Sequence, residues 1–476
     1  MRRILLILIL AHLSYGLTAD GFADWLKRER ETFQGFQSRE DKAFREFLSR
    51  EWQDFEASRS ISSYQEPKFS RQPVVNSGSV PAPSFANLYP RPQMKGANRF
   101  LDFSYRDLPS VVIEIFGISM RFPKAETELP SLDGQANRGV AEYWDRLSSM
   151  DLEKLFLSLE TARDKLNLGD WGLAGLINAY AESQAGGNRG EVSALSWFLL
   201  IKDGYDVRLV LDPGSGELYL MLPAEEILYE TPYAALDGRR YYFIDFGPSG
   251  GYPRRFSSYP EGFPAAGKRM RFSLDSVPAL PSKSEARLLT FNYQGREISL
   301  HLEYDRTLIE YYADHPQASF GSYLSGGTSK SFTAAVRESF APLLRGRSRE
   351  EAAGLLLRFV QTAFAYRTDQ DQFSREKWML PEETLFYPYS DCDDRSVLFA
   401  WLVRELLELP VVGIQWPGHM AVAVAFNSPA KGAGFSAAGR RWTLCDPTYM
   451  GADVGMVMPA YVGHSFQIVE PRSFTD

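Results

Sequence analysis

The chain has 476 residues, 44% of them hydrophobic and 24% charged, which excludes a wholly disordered protein and predicts two or three folded units. Its 52 Lys and Arg residues against 60 Asp and Glu give a formal net charge of −8. A net negative chain has no general field that attracts phosphate backbones, so we predict no nucleic-acid partner.

Residues 1–19 have the pattern of a secretory signal peptide. A basic start at Arg2 and Arg3 precedes an apolar run over residues 4–10, and small residues follow up to Ala19. The apolar run is shorter than the roughly 20 residues that span a bilayer as a helix. We therefore predict a cleaved signal peptide, no integral membrane segment, and a secreted or periplasmic protein. A retained N-terminal anchor is the alternative.

An aromatic period of eleven residues follows the signal, within residues 20–57. Two series carry it: Phe22, Phe33, Phe44 and Phe55, and Trp25, Phe36 and Phe47. Eleven residues are close to three helical turns, so the rings form one stripe along a predicted helix over 20–57, as in a coiled coil. The stripe favours docking on a protein partner or self-association. Packing on the chain's own body and binding to a membrane surface are the alternatives.

Composition divides the remaining chain into four segments. Residues 58–98 are rich in Pro and Ser and predict an extended linker. Residues 99–253 mix helical and strand patterns and predict an α+β domain. Residues 254–328 are β-rich, with a hairpin predicted to turn at Gln294 and Gly295. Residues 329–476 begin with two helical patterns and contain the residues that have catalytic chemistry.

The chain has two cysteines, Cys392 and Cys445. They lack C-x-x-C spacing, so we predict neither a zinc site nor a disulfide framework. Cys392 lies directly before residues 396–407, an amphipathic helical run, which places its thiol at a helix N-terminus. Backbone N–H groups and the positive end of the helix dipole stabilise a thiolate there. A single bridge between Cys392 and Cys445 is the alternative.

Two further residues have the chemistry that a nucleophilic thiol needs. His419 follows a Pro-Gly break at the start of a predicted strand, and Asp446 lies at the end of a predicted neighbouring strand. An imidazole can take the thiol proton while a carboxylate holds its second ring nitrogen. Cys392, His419 and Asp446 are therefore the candidate catalytic residues, and we predict no cofactor and no metal.

Three aspartates flank the thiol: Asp391, Asp393 and Asp394. They lack the spaced oxygen ligands and the glycine of a calcium-binding loop. We assign them to loop capping and to recognition of a substrate amine. We expect the backbone N–H of Cys392, or else Tyr389, to stabilise an oxyanion.

Three short motifs around these residues resemble the transglutaminase-like superfamily, which has the papain-like cysteine-enzyme architecture. They are Asp391-Cys392-Asp393-Asp394, Pro417-Gly418-His419-Met420-Ala421-Val422-Ala423 and Cys445-Asp446-Pro447-Thr448-Tyr449. The resemblance covers about residues 331–462. It implies that Cys392 is the nucleophile, His419 the base and Asp446 the orienting carboxylate of a domain over 329–476.

The resemblance also implies an activity on peptide or protein amides. The animal cross-linking enzymes have Trp directly after the cysteine, whereas this chain has Asp393. A peptidase, an amidase or another acyl transferase therefore fits better than a cross-linking enzyme.

The α+β domain over 99–253 looks like a degenerate copy of the later one. Aligning Trp197 with Trp401 superposes their helical patterns. Asn188 then lies at the nucleophile position, and Glu217 or Tyr219 near the histidine position, so we expect such a copy to be inactive. An inactive copy and an aromatic helix also fit an alternative function, a non-enzymatic envelope assembly or adaptor protein.

Overall fold

The computed structural model describes residues 38–50, 52–61, 100–125, 128–134, 137–244, 246, 252–428 and 430–471. The predicted signal peptide and most of the predicted linker lie outside these residues. The described part of the chain mixes helices with several sheets, which confirms the α+β class. Within it, no helix combines the length and the apolar character that a membrane span needs.

The helices follow from amphipathic patterns and from residues that cap their ends. Their bounds are α1 Asn137–Ser148, α2 Glu153–Leu166, α3 Asp170–Gln184, α4 Arg189–Lys202, α5 Arg306–Tyr312, α6 Phe320–Leu324, α7 Lys330–Leu344, α8 Arg349–Thr362, α9 Asp369–Phe373, α10 Pro381–Phe386 and α11 Cys392–Leu407. At the start of α8 the Ser348 hydroxyl accepts the Glu351 N–H, and the Glu351 carboxylate accepts the Ser348 N–H. This reciprocal pair satisfies N–H groups that a helix start leaves without intrahelical partners.

The first unit is a six-stranded antiparallel sheet on which the buried helix α4 packs. Its strands are β1 Gln53–Glu56, β5 Arg208–Leu211, β6 Leu218–Pro223, β7 Tyr233–Leu236, β8 Arg239–Ile244 and β9 Arg255–Ser258. Their order across the sheet is β1-β9-β5-β6-β8-β7. A smaller sheet in the order β2-β4-β3 packs beside it against α2 and α3, and its strands are β2 Phe100–Asp102, β3 Ser110–Ile115 and β4 Ile118–Pro123.

The second unit is a five-stranded antiparallel sheet on which α11 packs. Its strands are β14 Val411–Trp416, β15 His419–Val424, β16 Gly434–Ala437, β17 Arg440–Cys445 and β18 Gln467–Val469. Their order is β16-β17-β15-β14-β18. A short parallel pair, β12 Ala365–Tyr366 and β13 Tyr389–Ser390, leads the chain into α11.

The two large sheets share one strand order. In the first sheet β5 pairs with β6, β6 with β8, and β8 with β7. In the second sheet β14 pairs with β15, β15 with β17, and β17 with β16. Strand β9 then joins the free edge of β5, and β18 joins that of β14. The two parts of the chain therefore share a sheet topology.

The predicted helix over 20–57 does not continue to residue 57. Within the described part, residues 38–48 are helical, but Gln53–Glu56 is a strand that pairs with β9. Phe44 is buried against Trp144 and Tyr259 of the first unit, and Phe55 stacks on Phe256. These rings pack on the chain's own body, because the first unit offers an aromatic surface to cover them. The earlier rings of the stripe lie outside the described residues.

Residues 254–328 hold the predicted hairpin but are not a separate β-rich unit. Strands β10 Ser284–Tyr293 and β11 Arg296–Asp305 pair over their whole length. Gln294 and Gly295 form the turn with φ of 50° and 74°, as a type I′ turn requires. Strand β9, however, belongs to the first sheet, and helices α5 and α6 follow the hairpin.

One large core connects the two units and places the site at its border. It contains the inward side chains of α4 and α11 together with Met420, Val422 and Val424 of β15. Ala421 and Ala423, which alternate with them, belong to a second core on the other face of the sheet, with Trp416. Strand β15 is therefore covered on both faces, which fixes its register and the position of His419 at its first residue.

Candidate active site

Cys392 is the first residue of α11. The helix begins four residues earlier than the apolar run 396–407 suggested, because the Asp394 carboxylate accepts the Asp391 N–H at 3.1 Å and closes the first turn. The Ser396 hydroxyl donates to the Cys392 carbonyl at 2.6 Å. The thiol thus lies at a helix N-terminus, as the sequence predicts.

His419 and Asp446 are hydrogen-bonded to each other. His419 Nε2 and Asp446 Oδ2 lie 2.8 Å apart. The contact arises because β15 and β17 are neighbours, so the start of one strand meets the end of the other. A tight turn at Gly418, with φ of 77°, connects β14 to His419, and this left-handed conformation favours glycine. The predicted base and orienting carboxylate are therefore in contact.

The Asp446 carboxylate is held in place from its other side. Its Oδ1 accepts the N–H groups of Thr448 and Tyr449, each at 3.0 Å. Gln361, buried on α8, donates its side-chain N–H to the carbonyls of Asp446, Tyr449 and Ala452. This amide fixes the loop after β17, and sequence reasoning missed it because the two segments lie about 85 residues apart.

The helix that begins at Cys392 lies against the strand that begins at His419. The Tyr461 ring stacks on the His419 imidazole with centroids 4.8 Å apart. Burial raises the pKa of Tyr461, and the negative charges of Cys392 and Asp446 raise it further. The Tyr461 ring therefore contacts the imidazole of the His419–Asp446 pair. With Nε2 bonded to Asp446, Nδ1 is the ring nitrogen that can exchange a proton with a thiol.

Arg395 is a buried cation in this site that sequence reasoning missed. Its Nε donates to Ser390 Oγ at 3.1 Å and one Nη to the Phe364 carbonyl at 2.8 Å. Burial lowers the pKa of Arg395 to about 10, although the charges of Asp391, Asp394 and Cys392 act in the opposite direction. Its position three residues after Cys392 on a helix was the signal that could have identified it.

Asp391, Asp393 and Asp369 form a buried acidic cluster. One carboxylate oxygen from each lies within 4.8 Å of the others, and 4.8 Å is about twice a Ca²⁺–oxygen bond. Both Asp391 carboxylate oxygens are buried. Burial, followed by the charge of Asp391, raises the pKa of Asp393 and of Asp369 well above the usual range. These three residues could hold a hard divalent cation beside Cys392.

The cluster was not expected from the sequence, because Asp369 comes from the separate helix α9. The predicted capping role is confirmed for Asp394, which accepts N–H groups of Asp391 and Met379. The predicted recognition of a substrate amine does not fit, since all three flanking aspartates are buried. In this conformation their carboxylates cannot reach a ligand in solution.

The alternative of a disulfide between the two cysteines is wrong. Both Cys392 and Cys445 are free thiols. Cys445 lies in the main core, and burial raises the pKa of its thiol far above the usual value. It is therefore a structural residue rather than a second nucleophile.

The first unit has neither a thiol nor an imidazole at the corresponding positions. Asn188 caps α4 and accepts the N–H groups of Gly190 and Glu191. Strand pairing identifies the residue of the first unit that corresponds to His419. In the second unit Cys445 ends β17 and pairs with Val422, and His419 lies three residues before Val422. In the first unit the last residue of β8 pairs with Leu220, and Glu217 lies three residues before Leu220. Glu217 is exposed and accepts the Tyr219 hydroxyl. This arrangement supports the expectation that the first unit is inactive.

No protein-family model matches this chain, and no curated protein matches it significantly.

Proposed function

We propose that the chain is an exported cysteine enzyme of transglutaminase-like fold that acts on peptide or protein amides through Cys392, His419 and Asp446. The observation that supports it most is the buried contact of 2.8 Å between His419 and Asp446. His419 begins a strand against which the helix that begins at Cys392 packs. Nucleophilic thiol catalysis needs an imidazole oriented by a third group. Export rests on the pattern of residues 1–19.

The reaction proceeds through a thioester. His419 Nδ1 takes the Cys392 proton, and the sulfur forms a bond to the amide carbon while the Cys392 N–H holds the oxyanion. The C–N bond then breaks, and the imidazolium gives its proton to the leaving amine. Water or a second amine attacks the thioester with His419 as base, and the thiol leaves with the returned proton. Asp446 holds the ring through both stages.

The test is hydroxamate formation by the full chain incubated with a peptide mixture and hydroxylamine, which intercepts a thioester. The wild type is expected to yield peptide hydroxamates. Cys392→Ala is expected to yield none, whereas Cys445→Ala, the matched control, keeps the activity because its thiol is in the core. Equal yields from Cys392→Ala and the wild type would contradict the proposal.

One observation favours a non-enzymatic assembly or adaptor protein as second candidate. The three residues of the triad are closed to solvent, with exposures of 1% for Cys392, 0% for His419 and 1% for Asp446. A vestigial site would have this property. This candidate predicts no hydroxamate from any variant, together with unaltered complex formation by Cys392→Ala in a pull-down from envelope extracts.

A further inference from the structure

The triad must open before any amide can react. A substrate carbon has to reach bonding distance of the Cys392 sulfur, but Cys392 is 1% exposed and His419 is 0% exposed. Part of the surrounding structure therefore has to leave, and the segment that leaves decides which substrate side chain can take its place.

Among the described residues, Tyr461 is one of two aromatic side chains that stack on the His419 imidazole, and Trp416 is the other. The Tyr461 ring lies on His419 with centroids 4.8 Å apart and planes inclined by 16°. Its hydroxyl donates a hydrogen bond to the Gly418 carbonyl at 3.4 Å. Tyr461 itself is half-buried, so one side of the ring contacts the site while another part of the residue meets solvent.

Residues 456–464, which we call the lid, contact the sheet through side chains, because Val457 and Tyr461 pack on its second core. The chain is anchored before the lid, where the Gly455 N–H donates to Leu444 and the Gly455 carbonyl accepts Ala433, and after it by β18. The backbone hydrogen bonds of the lid join residues three apart, such as Tyr461 to Met458 and His464 to Tyr461. Such local bonds persist when a segment moves as a body.

The space under the Tyr461 ring has aromatic walls. Trp416 lies 5.4 Å from Tyr461 and 5.9 Å from His419, centroid to centroid. Phe466 lies 5.6 Å from Trp416, and it follows the lid. When Tyr461 leaves, these ring faces lose a stacking partner that is worth about 0.5–1.5 kcal/mol in proteins beyond the area buried. An aromatic substrate side chain restores the contact.

We propose that Tyr461 is a removable gate, and that its ring occupies a subsite for an aromatic side chain next to the reacting acyl group. This inference rests on the proposed function, and it specifies the substrate class as peptides with an aromatic residue at that position. The gate itself concerns only access to Cys392.

The gate is tested by the rate at which iodoacetamide alkylates Cys392 in the full chain, followed by peptide mass mapping. Tyr461→Ala is expected to raise the rate by about tenfold, since the rate follows the open fraction. Tyr461→Phe keeps the ring and should stay near the wild type. Val462→Ala, at an exposed lid residue, is the matched control and should not change the rate. An unchanged rate in Tyr461→Ala overturns the gate.

The subsite is tested with two aldehydes, N-acetyl-phenylalaninal and N-acetyl-alaninal, as competitors of alkylation. In both compounds the Cys392 sulfur adds to the carbonyl carbon, and the carbonyl oxygen takes the thiol proton. Protection from alkylation therefore measures occupancy of the site without turnover. The phenylalanine compound is expected to protect at about tenfold lower concentration, and Trp416→Ala should reduce this preference. Equal protection by both compounds overturns the subsite. If the preference is found but no variant forms hydroxamates, the proposed function fails while this inference stands.

Discussion

Asp446 divides its two oxygens between two tasks. Oδ1 accepts two backbone N–H groups of its own loop, and Oδ2 bonds His419. The first task fixes the carboxylate, and the second determines which nitrogen of the ring carries a proton. A substitution can therefore change the interaction with His419 while it keeps the hydrogen bonds to the backbone.

Asp446→Asn is expected to keep the fold and abolish most of the activity. The Asn oxygen can still accept the N–H groups of Thr448 and Tyr449, but its NH₂ would face Nε2 and force the proton onto Nδ1, where the thiol needs an acceptor. By analogy with serine enzymes we expect roughly a 10³–10⁴-fold loss. Hydroxamate formation measures it, with an unaltered melting temperature as control. If Asp446→Asn forms hydroxamates at the wild-type rate and has an unaltered melting temperature, Asp446 does not determine the tautomer of His419.

Glu382 should make stability depend on pH. Burial raises its pKa from 4.5 to about 7, while the N–H groups of Asp305 and Ser329 act to lower it. The folded protein therefore holds a proton that the unfolded chain releases above its ordinary pKa. The stabilisation is complete below about pH 4.5 and falls by roughly 3 kcal/mol as the pH rises to about 7.

The measurement is urea unfolding of the wild type and of Glu382→Gln at several pH values. The stability of the wild type relative to the variant should decline from pH 4 to 8. Glu338→Gln, at an exposed position on α7, should show no such decline. Parallel curves for the wild type and Glu382→Gln would mean that the carboxyl ionises as freely as in the unfolded chain.

At the scale of elements, α11 combines features that oppose each other. Its N-terminal dipole favours a thiolate at Cys392, but Asp391, Asp393 and Asp394 add negative charge around the same turn. Buried Arg395 counters part of that charge. The helix start therefore has an excess of buried acid, and burial together with the charge of Asp391 raises the pKa of Asp393 and of Asp394 well above the usual range.

The hairpin of β10 and β11 offers a test of turn chemistry. Gln294 has a positive φ of 50°, which Asn adopts more readily than Gln in a type I′ turn. Gln294→Asn is expected to stabilise the protein by about 0.5 kcal/mol, because Asn adopts a positive φ with less backbone strain than Gln. Gly295→Ala, at φ of 74°, should destabilise it by about 1 kcal/mol. Chemical denaturation measures both; a stabilising Gly295→Ala would contradict the turn assignment.

At the scale of the whole molecule, the N-terminal helical segment is part of the first unit. Phe44 is buried between Trp144 and Phe263, with centroids 4.8 and 5.2 Å away. Phe44→Ala is expected to lower the free energy of unfolding by roughly 3 kcal/mol. Phe55→Ala, at a less buried ring, should cost about 1 kcal/mol.

Size-exclusion chromatography of the same variants separates own-body packing from the predicted self-association. Own-body packing predicts that Phe44→Ala elutes in the same oligomeric state as the wild type. An altered state at unaltered stability would favour a partner-binding role for this ring instead.

The two units share a strand order but differ in chemistry. Only the second brings a thiol, an imidazole and a carboxylate to its helix start and strand ends, whereas the first has Asn188 and an exposed Glu217 there. Strand order depends on hydrophobic patterns and turns, which survive changes of individual polar residues. The two units therefore have the same strand order, although only the second has the site residues.

The sequence by itself determined the local features: a helix beginning near Cys392, a strand beginning at His419, the turn at Gln294 and Gly295, and the α+β class. These follow from periodicity, capping and glycine positions, which act over a few residues. Only the tertiary structure decided that Asp369 joins the aspartates beside Cys392, that Gln361 fixes the Asp446 loop, and that Tyr461 stacks on His419. Contacts between distant segments depend on how whole elements pack, and no local pattern encodes that packing.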